Sequence, residues 1–346
     1  MQHHDDASPD PASGPTLAGA GERGVLAEVF GALAGLPDRG VLVGPGDDTA
    51  LLAVRAGAVL ATTDTMVLGR DWRDEWSTAP DVGTKVVTQN VADIAAMGGV
   101  CTGLLVTLVA PTDLPLAWAR ELTEGIARAA ALVDVPVVGG DLSSAPAGMV
   151  AVSVTALGEL PDGVGRPVLR SGARPGDVLA VSGPLGRSGA GWRLLERGVL
   201  VASDPSEEAA LDHHRRPVID VAQGPVAARA GATAMIDVSD GLLRDGDRIA
   251  RASGVRLLLA EGAVTDLARG LVPALSLPEA VEQVLRGGEE HELLATFPAP
   301  AAVPPGWAVL GAVVEAGSPG EGGSTGMWWR GCRVDPTIGG WDHFGG

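Results

Sequence analysis

Apolar residues recur along the chain in two periods, which predict where helices and strands lie. Helical spacing predicts helices over residues 22–36, 78–97 and 116–132. Shorter apolar runs predict strands at 59–68, 104–110, 135–141 and 149–160, and a strand, tight turn and strand over 41–54. The first half of the chain is therefore predicted to mix helices with strands that pair as antiparallel hairpins.

A Gly- and Pro-rich stretch at residues 160–177 predicts a domain boundary. Beyond it, strands are predicted at 178–183, 233–241 and 256–262, and helices at 190–200, 217–231 and 242–255. We therefore predict an α+β fold of two domains. A disordered tail is expected at residues 1–20, an N-terminal domain at 21–160 and a C-terminal α+β domain at 161–346.

Composition narrows the class of protein. Apolar residues make up 46% of the 346 residues and charged residues 20%, which excludes a mainly disordered chain. The formal net charge of −18 argues against nucleic acid or an anionic membrane as a partner, because their phosphates would be repelled. With only two cysteines, Cys101 and Cys332, a disulfide framework and a cysteine-based zinc site are excluded.

Targeting signals are not expected. The polar, acidic start of the sequence has no apolar core of a secretory signal. The uncharged stretch at residues 94–112 contains three glycines, and it is better explained as a helix end followed by a buried strand than as a membrane span. We expect a soluble, cytoplasmic protein.

Aspartates beside glycines, at strand ends or on an apolar helix, are the clearest chemical signal. Each of them alone fits a turn or helix-cap aspartate. Together they are unusual, since carboxylates are rare on apolar segments unless they are paired or bind a metal. These sites are Asp47 with Asp48, Asp64, Asp93, Asp141, and Asp237 with Asp240.

Converging carboxylates repel one another by roughly 4 kcal/mol for a pair 4 Å apart at an effective dielectric of 20. A cluster of them therefore predicts bound cations. Ligands that are all oxygen favour Mg²⁺, Mn²⁺ or Ca²⁺ over zinc, and Thr62 and Thr63 could add oxygen ligands beside Asp64. Several hard-cation sites among glycine turns are typical of an enzyme that acts on nucleotide phosphates. The P-loop motif, the protein-kinase signature and the G-x-S-x-G motif do not occur in the sequence.

Two further segments each allow a structural interpretation and a ligand-binding one. GGEEHELLATF at residues 287–297 is either an exposed acidic turn or a loop that points Glu289 at a cationic group. In the segment GGWDHF, Trp341 either fills the core or offers an aromatic face to a flat cationic heterocycle.

Seven motifs of the chain resemble those of the thiamine-monophosphate kinase family, within the aminoimidazole-ribonucleotide-synthetase-like superfamily. Any one of them is weak, but all seven occur in the family's order between about residues 22 and 344. They are GPGDD at 44–48, TTDT at 62–65, NVADIAAMG at 90–98, GGD at 139–141, RSGARPGD at 170–177, IDVSDGL at 236–242 and GWDHF at 340–344.

The resemblance implies an ATP-dependent enzyme that phosphorylates thiamine monophosphate to thiamine diphosphate by direct in-line transfer, with several Mg²⁺ ions and no covalent enzyme intermediate. It also implies a homodimer in which N-terminal strands of two copies form a barrel at the interface. The implied metal ligands are Asp48, Thr62, Thr63, Asp64, Asp93, Asp141, Asp237 and Asp240. The implied ATP contacts are Gly140, Asp141, Arg170 and Ser239, and the implied thiamine-side contacts are Asp71, Glu289 and Trp341.

The sequence departs from the family pattern at two of these places. Asp71 stands where the family commonly has histidine, and Glu290 and His291 stand where it has aspartate and tyrosine.

Two alternatives remain open from sequence alone. One is another ATP-dependent enzyme of the same superfamily, although a selenide enzyme would need a cysteine or selenocysteine near its start, and a carbamoyl-modifying maturation enzyme a cysteine at its end. The other is a non-catalytic homologue that binds nucleotide or metal.

Overall fold

The computed structural model describes residues 14–44, 50–55, 57–317 and 325–335. Its first part is built on a four-stranded sheet with the order β3-β6-β4-β5. Its elements are α1 Leu17–Leu33, β1 Val41–Val43, β2 Leu51–Leu52, β3 Leu60–Val67, α2 Ala79–Ala96, β4 Val100–Pro111, α3 Leu116–Leu132, β5 Val137–Ala145 and β6 Ala151–Glu159.

Strand pairing in this sheet differs from the predicted hairpins. Strands β3 and β4 are both antiparallel to β6, which lies between them, while β5 runs parallel to β4. Helices α2 and α3 separate consecutive strands, and a parallel pair requires such a crossover. The short strands β1 and β2 form a separate antiparallel pair, as the sequence predicts.

One face of the sheet is covered by α2, and α3 packs on α2 in turn. The two helices approach closely through Gly83 and Gly125: a Cβ on Gly83 would lie 2.3 Å from the carbonyl oxygen of Leu122, and one on Gly125 would lie 2.2 Å from that of Pro80. Helix α2 is buried along most of its length, so it forms the centre of the molecule.

The opposite face of the sheet, which we call the open face, has a different character. The strand register places Asp141, Thr107, Ser153 and Thr65 in one row across the four strands. The four residues of this row are exposed or half-buried, whereas Val152 and Val154 on the α2 side are fully buried. The four strands of one chain form an open sheet and not a closed barrel.

The second part contains a seven-stranded sheet with the order β13-β12-β9-β11-β7-β10-β8. Its strands are β7 Val178–Val181, β8 Ala234–Asp237, β9 Val255–Leu259, β10 Leu293–Phe297, β11 Ala308–Glu315, β12 Gly326–Trp329 and β13 Cys332–Arg333. Its helices are α4 Arg187–Glu196, α5 Pro205–Arg215, α6 Gln223–Arg229, α7 Leu242–Ser253, α8 Glu261–Arg269 and α9 Leu277–Arg286, with a 3₁₀ turn at Pro300–Ala302. The mixed α+β architecture is thus as the sequence predicts.

Three predicted boundaries were wrong for identifiable reasons. Helix α1 begins at Leu17, with a break at Gly21 (φ 65°) just before the predicted start at residue 22. Strand β5 continues to Ala145 beyond its glycine pair, because β4 pairs with it along that length. The helix predicted over 217–231 is only α6, and before it the Thr88 hydroxyl donates to the carbonyl oxygen of Pro217.

In the part of the chain that is described, no helix is both long enough and apolar enough to cross a membrane.

Candidate active site

Three predicted metal ligands, Thr62, Asp64 and Asp93, lie together where β3 faces α2. Side chains alternate along β3, so Thr62 and Asp64 point to the same side as the fully buried Met66. The Thr62 hydroxyl donates to Asp93 Oδ2 at 2.6 Å, and the backbone N–H of Asp64 donates to Asn90 Oδ1 at 3.1 Å. Asp64 and Asp93 therefore flank the junction between the N-terminal sheet and its central helix.

A third carboxylate approaches from the C-terminal sheet. Asp237 is the last residue of β8 and is buried. Burial raises the pKa of Asp93 to about 6, with further contributions from the negative charges of Asp237 and Asp64. Repulsion of this kind requires the three carboxylates to be near one another, so the two halves of the chain meet at an acidic cluster.

The turn after β8 is braced by arginine. Asp240 forms an ion pair with Arg248 Nη2, and Arg248 Nη1 lies 2.5 Å from Asp245 Oδ1. The backbone N–H of Asp240 donates to Asp245 Oδ2 at 2.8 Å. Asp240, which the sequence predicts as a metal ligand, is thus held by a cation of the protein itself.

Sequence reasoning missed Asp245, which is completely buried. Burial raises its pKa to about 7, with a further contribution from Asp237, despite the opposing charge of Arg248. A signal was present: Leu242, Asp245 and Ile249 follow helical spacing and so share the apolar face of α7.

Residues 287–292, which we call the acidic loop, sit directly on this turn. The backbone N–H of Glu289 donates to the Ser239 carbonyl at 2.7 Å, and that of His291 donates to the Val238 carbonyl at 2.8 Å. His291 Nδ1 lies 3.2 Å from Asp237 Oδ2. Burial would lower the pKa of His291, but the hydrogen bond and the charge of Asp237 outweigh it and raise the pKa.

Glu289 points to a cationic group, as the sequence predicts in one of its two interpretations, but that group belongs to the protein. Its Oε1 lies 2.6 Å from Nζ of Lys85 on α2. Lys85 is the only lysine of the chain, and its side chain is 3% exposed. Sequence reasoning did not assign it a role, although a single lysine inside an apolar helix was a usable signal.

Several predicted site residues lie away from the cluster. Thr63 points to the open face, where its hydroxyl donates to the Val154 carbonyl, and Asp141 is on that face too. Gly140 and Asp141 are on edge strand β5, at the far side of the sheet from β3. Arg170 has an exposed side chain, and its carbonyl accepts from Ser253.

The predicted substrate contact Asp71 closes the turn that follows β3, because its Oδ2 accepts from the backbone N–H of Val67 at 2.7 Å. Asp48 and Trp341 lie outside the described residues.

The acidic cluster fits Mg²⁺ better than a metal that needs a full protein cage. Among the described residues, no group of three or more His, Cys, Asp or Glu side chains is arranged to hold a metal ion by itself. Mg²⁺ takes only one or two carboxylates and completes its shell with water and substrate phosphate. Crowded carboxylates with a raised pKa, as at Asp93, are the electrostatic situation that a hard cation relieves.

Comparisons with known proteins identify the family of the chain. Residues 46–160 match the family described as AIR synthase related protein, N-terminal domain. The thiamine-monophosphate kinase of Mycobacterium tuberculosis is 42% identical over 307 residues, covering 88% of this chain and 86% of that protein.

Solved structures give the same result. The thiamine-monophosphate kinase of Stenotrophomonas maltophilia K279a superimposes with a TM-score of 0.75 at 28% identity, over 90% of this chain and 96% of that one. A structure described as AaThiL complexed with AMPPCP and TMP superimposes with a TM-score of 0.70 at 29% identity, over 94% and 97% of the two chains. The chain therefore belongs to the thiamine-monophosphate kinase family.

Proposed function

We propose that this chain transfers the γ-phosphoryl group of ATP to thiamine monophosphate, giving thiamine diphosphate and ADP. The observation that carries the proposal is the 42% identity to a thiamine-monophosphate kinase over 88% of the chain. The similar AaThiL structure holds AMPPCP, an ATP analogue that cannot transfer its terminal phosphoryl group, together with TMP.

The acidic cluster is the place where the two anionic substrates would meet. ATP carries a charge of ~−4 and a phosphate monoester up to ~−2, so they would repel both each other and the carboxylates. Bound Mg²⁺ would neutralise these charges. The residues proposed to hold it are Asp64, Asp93 and Asp237, with Asp48 from the GPGDD motif and the Thr62 oxygen.

The transfer needs little general acid–base catalysis by the protein. The attacking atom is a phosphate oxygen of thiamine monophosphate, which is already an anion. A bond forms from this oxygen to the γ-phosphorus of ATP, the bond from that phosphorus to the β–γ bridging oxygen breaks, and the electron pair leaves with ADP. Positioning and charge compensation are therefore the main work of the site, and no covalent nucleophile is assigned.

The remaining contacts to ATP, metal ions and thiamine monophosphate are proposed because these residues lie in or near motifs that resemble the family's. Arg170, Ser239, Gly140 and Asp141 are assigned to ATP, and Asp141, Thr63 and Asp240 remain proposed metal ligands. Asp71, Glu289 and Trp341 are assigned to the thiamine end. Glu289 supports this assignment because its side chain, though paired with Lys85, keeps 26% of its surface exposed.

The open face supports a homodimer. It carries half-buried apolar side chains, Leu105, Val109 and Leu157, beside exposed threonines. We propose that the same face of a second copy covers it and that the two sheets form the interface barrel. This arrangement would also give Gly140 and Asp141, on the edge strand, a neighbour across the interface. Replacing Thr107 by arginine should then yield a monomer in sedimentation experiments.

The test of the activity is a coupled assay of ADP release. Purified protein with ATP and Mg²⁺ should release ADP when thiamine monophosphate is added and little without it, and mass spectrometry should find thiamine diphosphate. ADP release that does not depend on thiamine monophosphate would favour another enzyme of the superfamily. Nucleotide binding with no turnover would favour a non-catalytic homologue.

A further inference from the structure

The acidic loop connects three separate elements through three consecutive side chains. Glu289 pairs with Lys85 on α2, Glu290 Oε1 accepts from the backbone N–H of Ser188 on α4 at 2.7 Å, and His291 contacts Asp237 at the end of β8. Glu289 and His291 both adopt φ of 59°, the left-handed region that residues other than glycine avoid. Such a backbone persists only where its surroundings fix it.

Lys85 is the link between this loop and the N-terminal half. Its ammonium group is buried and lies 2.6 Å from Glu289 Oε1. Two histidines also act on this carboxylate: His214, with Nδ1 3.4 Å from Oε2, and His291 within the loop itself. Burial, helped by the charge of Lys85, lowers the pKa of His214 to about 3, so His214 is neutral at physiological pH. His291 belongs to the loop, so Lys85 is the charged partner that ties Glu289 to α2.

The position of Lys85 on α2 has a geometric consequence. Lys85 and Asp93 are on the same rigid helix, about 12 Å apart along its axis at 1.5 Å per residue. Glu289 and Asp237 are joined by the acidic loop, through the contact of His291 with Asp237. The Lys85–Glu289 pair thus fixes how Asp93, from one half of the chain, stands relative to Asp237, from the other.

We propose that Lys85 is a positioning residue of the phosphoryl-transfer site, which anchors Glu289 and thereby sets Asp237 against Asp93. This inference rests on the proposed function and extends it to a residue outside the acidic cluster. An ammonium group suits the task, because it is compact and presents three donors to a partly buried carboxylate. Without it, Glu289 would lose its closest counter-charge, and the left-handed loop would lose its ion pair with α2.

The experiment is a double-mutant cycle of Lys85→Met, Glu289→Gln and the two together, with full-length protein. Each variant is assayed for kcat at saturating ATP and thiamine monophosphate, at a temperature well below every Tm, and for the Mg²⁺ concentration that gives half-maximal rate. Amide hydrogen exchange of residues 286–293 reports on the loop independently of activity. Val264→Ala, a core substitution in α8, serves as the stability control.

Lys85→Met should lower kcat by about tenfold to a hundredfold, raise the Mg²⁺ requirement and speed exchange in the loop. Adding Glu289→Gln should lower kcat little further, because either substitution alone already breaks the same anchor. Val264→Ala should lower Tm with kcat unchanged. A Lys85→Met enzyme with kcat within about twofold of wild type, or two substitutions whose effects simply multiply, would overturn the proposal.

The two proposals can fail separately. If wild-type protein releases no ADP with thiamine monophosphate, the proposed function fails, while the exchange data still show whether Lys85 holds the loop. If Lys85→Met does not fold, Lys85→Arg takes its place, with the longer guanidinium expected to displace the loop and lower kcat. In that case a kcat of Lys85→Arg equal to that of wild type would refute the positioning role.

Discussion

Carboxylates of the acidic cluster and of the turn beside it come from both halves of the chain, but their partners differ. In the C-terminal half, Asp240 and Asp245 share Arg248. In the N-terminal half, Asp93 accepts a hydrogen bond from a threonine hydroxyl, and after burial the strongest influence on its pKa is another carboxylate, Asp237. The carboxylates of the turn after β8 are therefore balanced by arginine, whereas Asp93 faces further negative charge.

This difference separates two roles that look alike in sequence. A carboxylate already balanced by arginine orients its neighbours and keeps a turn in place. A carboxylate whose neighbours are acidic is destabilised until a cation binds. We therefore expect substitutions in the N-terminal group to act mainly on catalysis and metal binding, and those in the C-terminal group to act first on stability.

The largest expected effect is on catalysis, from Asp93→Asn. The amide keeps the hydrogen bond from Thr62 but removes the charge, so we expect kcat to fall by about a hundredfold or more, while metal-free protein folds at least as well as wild type. Steady-state kinetics at saturating Mg²⁺ and a thermal melt in EDTA measure the two effects. A variant with near-normal turnover would remove Asp93 from the metal site.

Metal binding should appear directly as stability. The proposed Mg²⁺ site exists only in the folded chain, so a hundredfold excess of Mg²⁺ over its Kd should stabilise wild type by about 2.7 kcal/mol. At about 2–4 °C per kcal/mol this raises Tm by about 5–10 °C relative to EDTA. Asp93→Asn should lose much of this increment. An identical Tm with Mg²⁺ and with EDTA would contradict a magnesium site formed by these residues.

The C-terminal group is tested by Arg248→Met. Asp240 and the fully buried Asp245 lose the cation that they share. Because Arg248 is itself 37% exposed and water screens its charge, we expect the free energy of unfolding to fall by only about 1–3 kcal/mol. The matched control is Arg269→Met, which breaks a solvent-exposed pair with Asp266 and should cost about 0–1 kcal/mol. Chemical denaturation compares the two, and equal losses would mean that Arg248 contributes no more than a surface pair.

Residues whose position depends on local pattern were predictable from the sequence. Asp64 was assigned to the site because it interrupts an apolar strand, and Asp93 because it interrupts an apolar helix, and the structure brings both to the same junction. Helices α2 and α3 were predicted within a residue at each end, and the capping box at Thr78 and the glycines after Met97 mark the limits of α2.

Residues whose position depends on long-range register were not predictable. Asp141 looked equivalent to Asp64, but the parallel pairing of β4 with β5 puts it on the open face. The pairs of Lys85 with Glu289 and of Arg248 with Asp240 join residues brought together by packing, and a single sequence carries no signal for such a contact. For Lys85 and Asp245 the sequence shows only that a charged residue interrupts an apolar helix face, and packing decides which residue it pairs with.

The smallest effect tests how Glu289, a carboxylate that links the two halves, is balanced. Burial and then Lys85 lower the pKa of His214 to about 3, from an ordinary 6.5. The unfolded chain takes up a proton at His214 below pH 6.5 while the folded protein does not. The titration of His214 therefore leaves the free energy of unfolding unchanged above pH 6.5. As the pH falls below 6.5 it lowers that free energy by at most about 1.4 kcal/mol per pH unit.

His214→Asn should be less stable than wild type at pH 7, and the difference in the free energy of unfolding should narrow between pH 6.5 and 5. Val264→Ala, which changes no titratable group, should run parallel to wild type. If the His214→Asn curve also runs parallel, then His214 titrates alike in both states, and it would share with Lys85 the task of balancing Glu289.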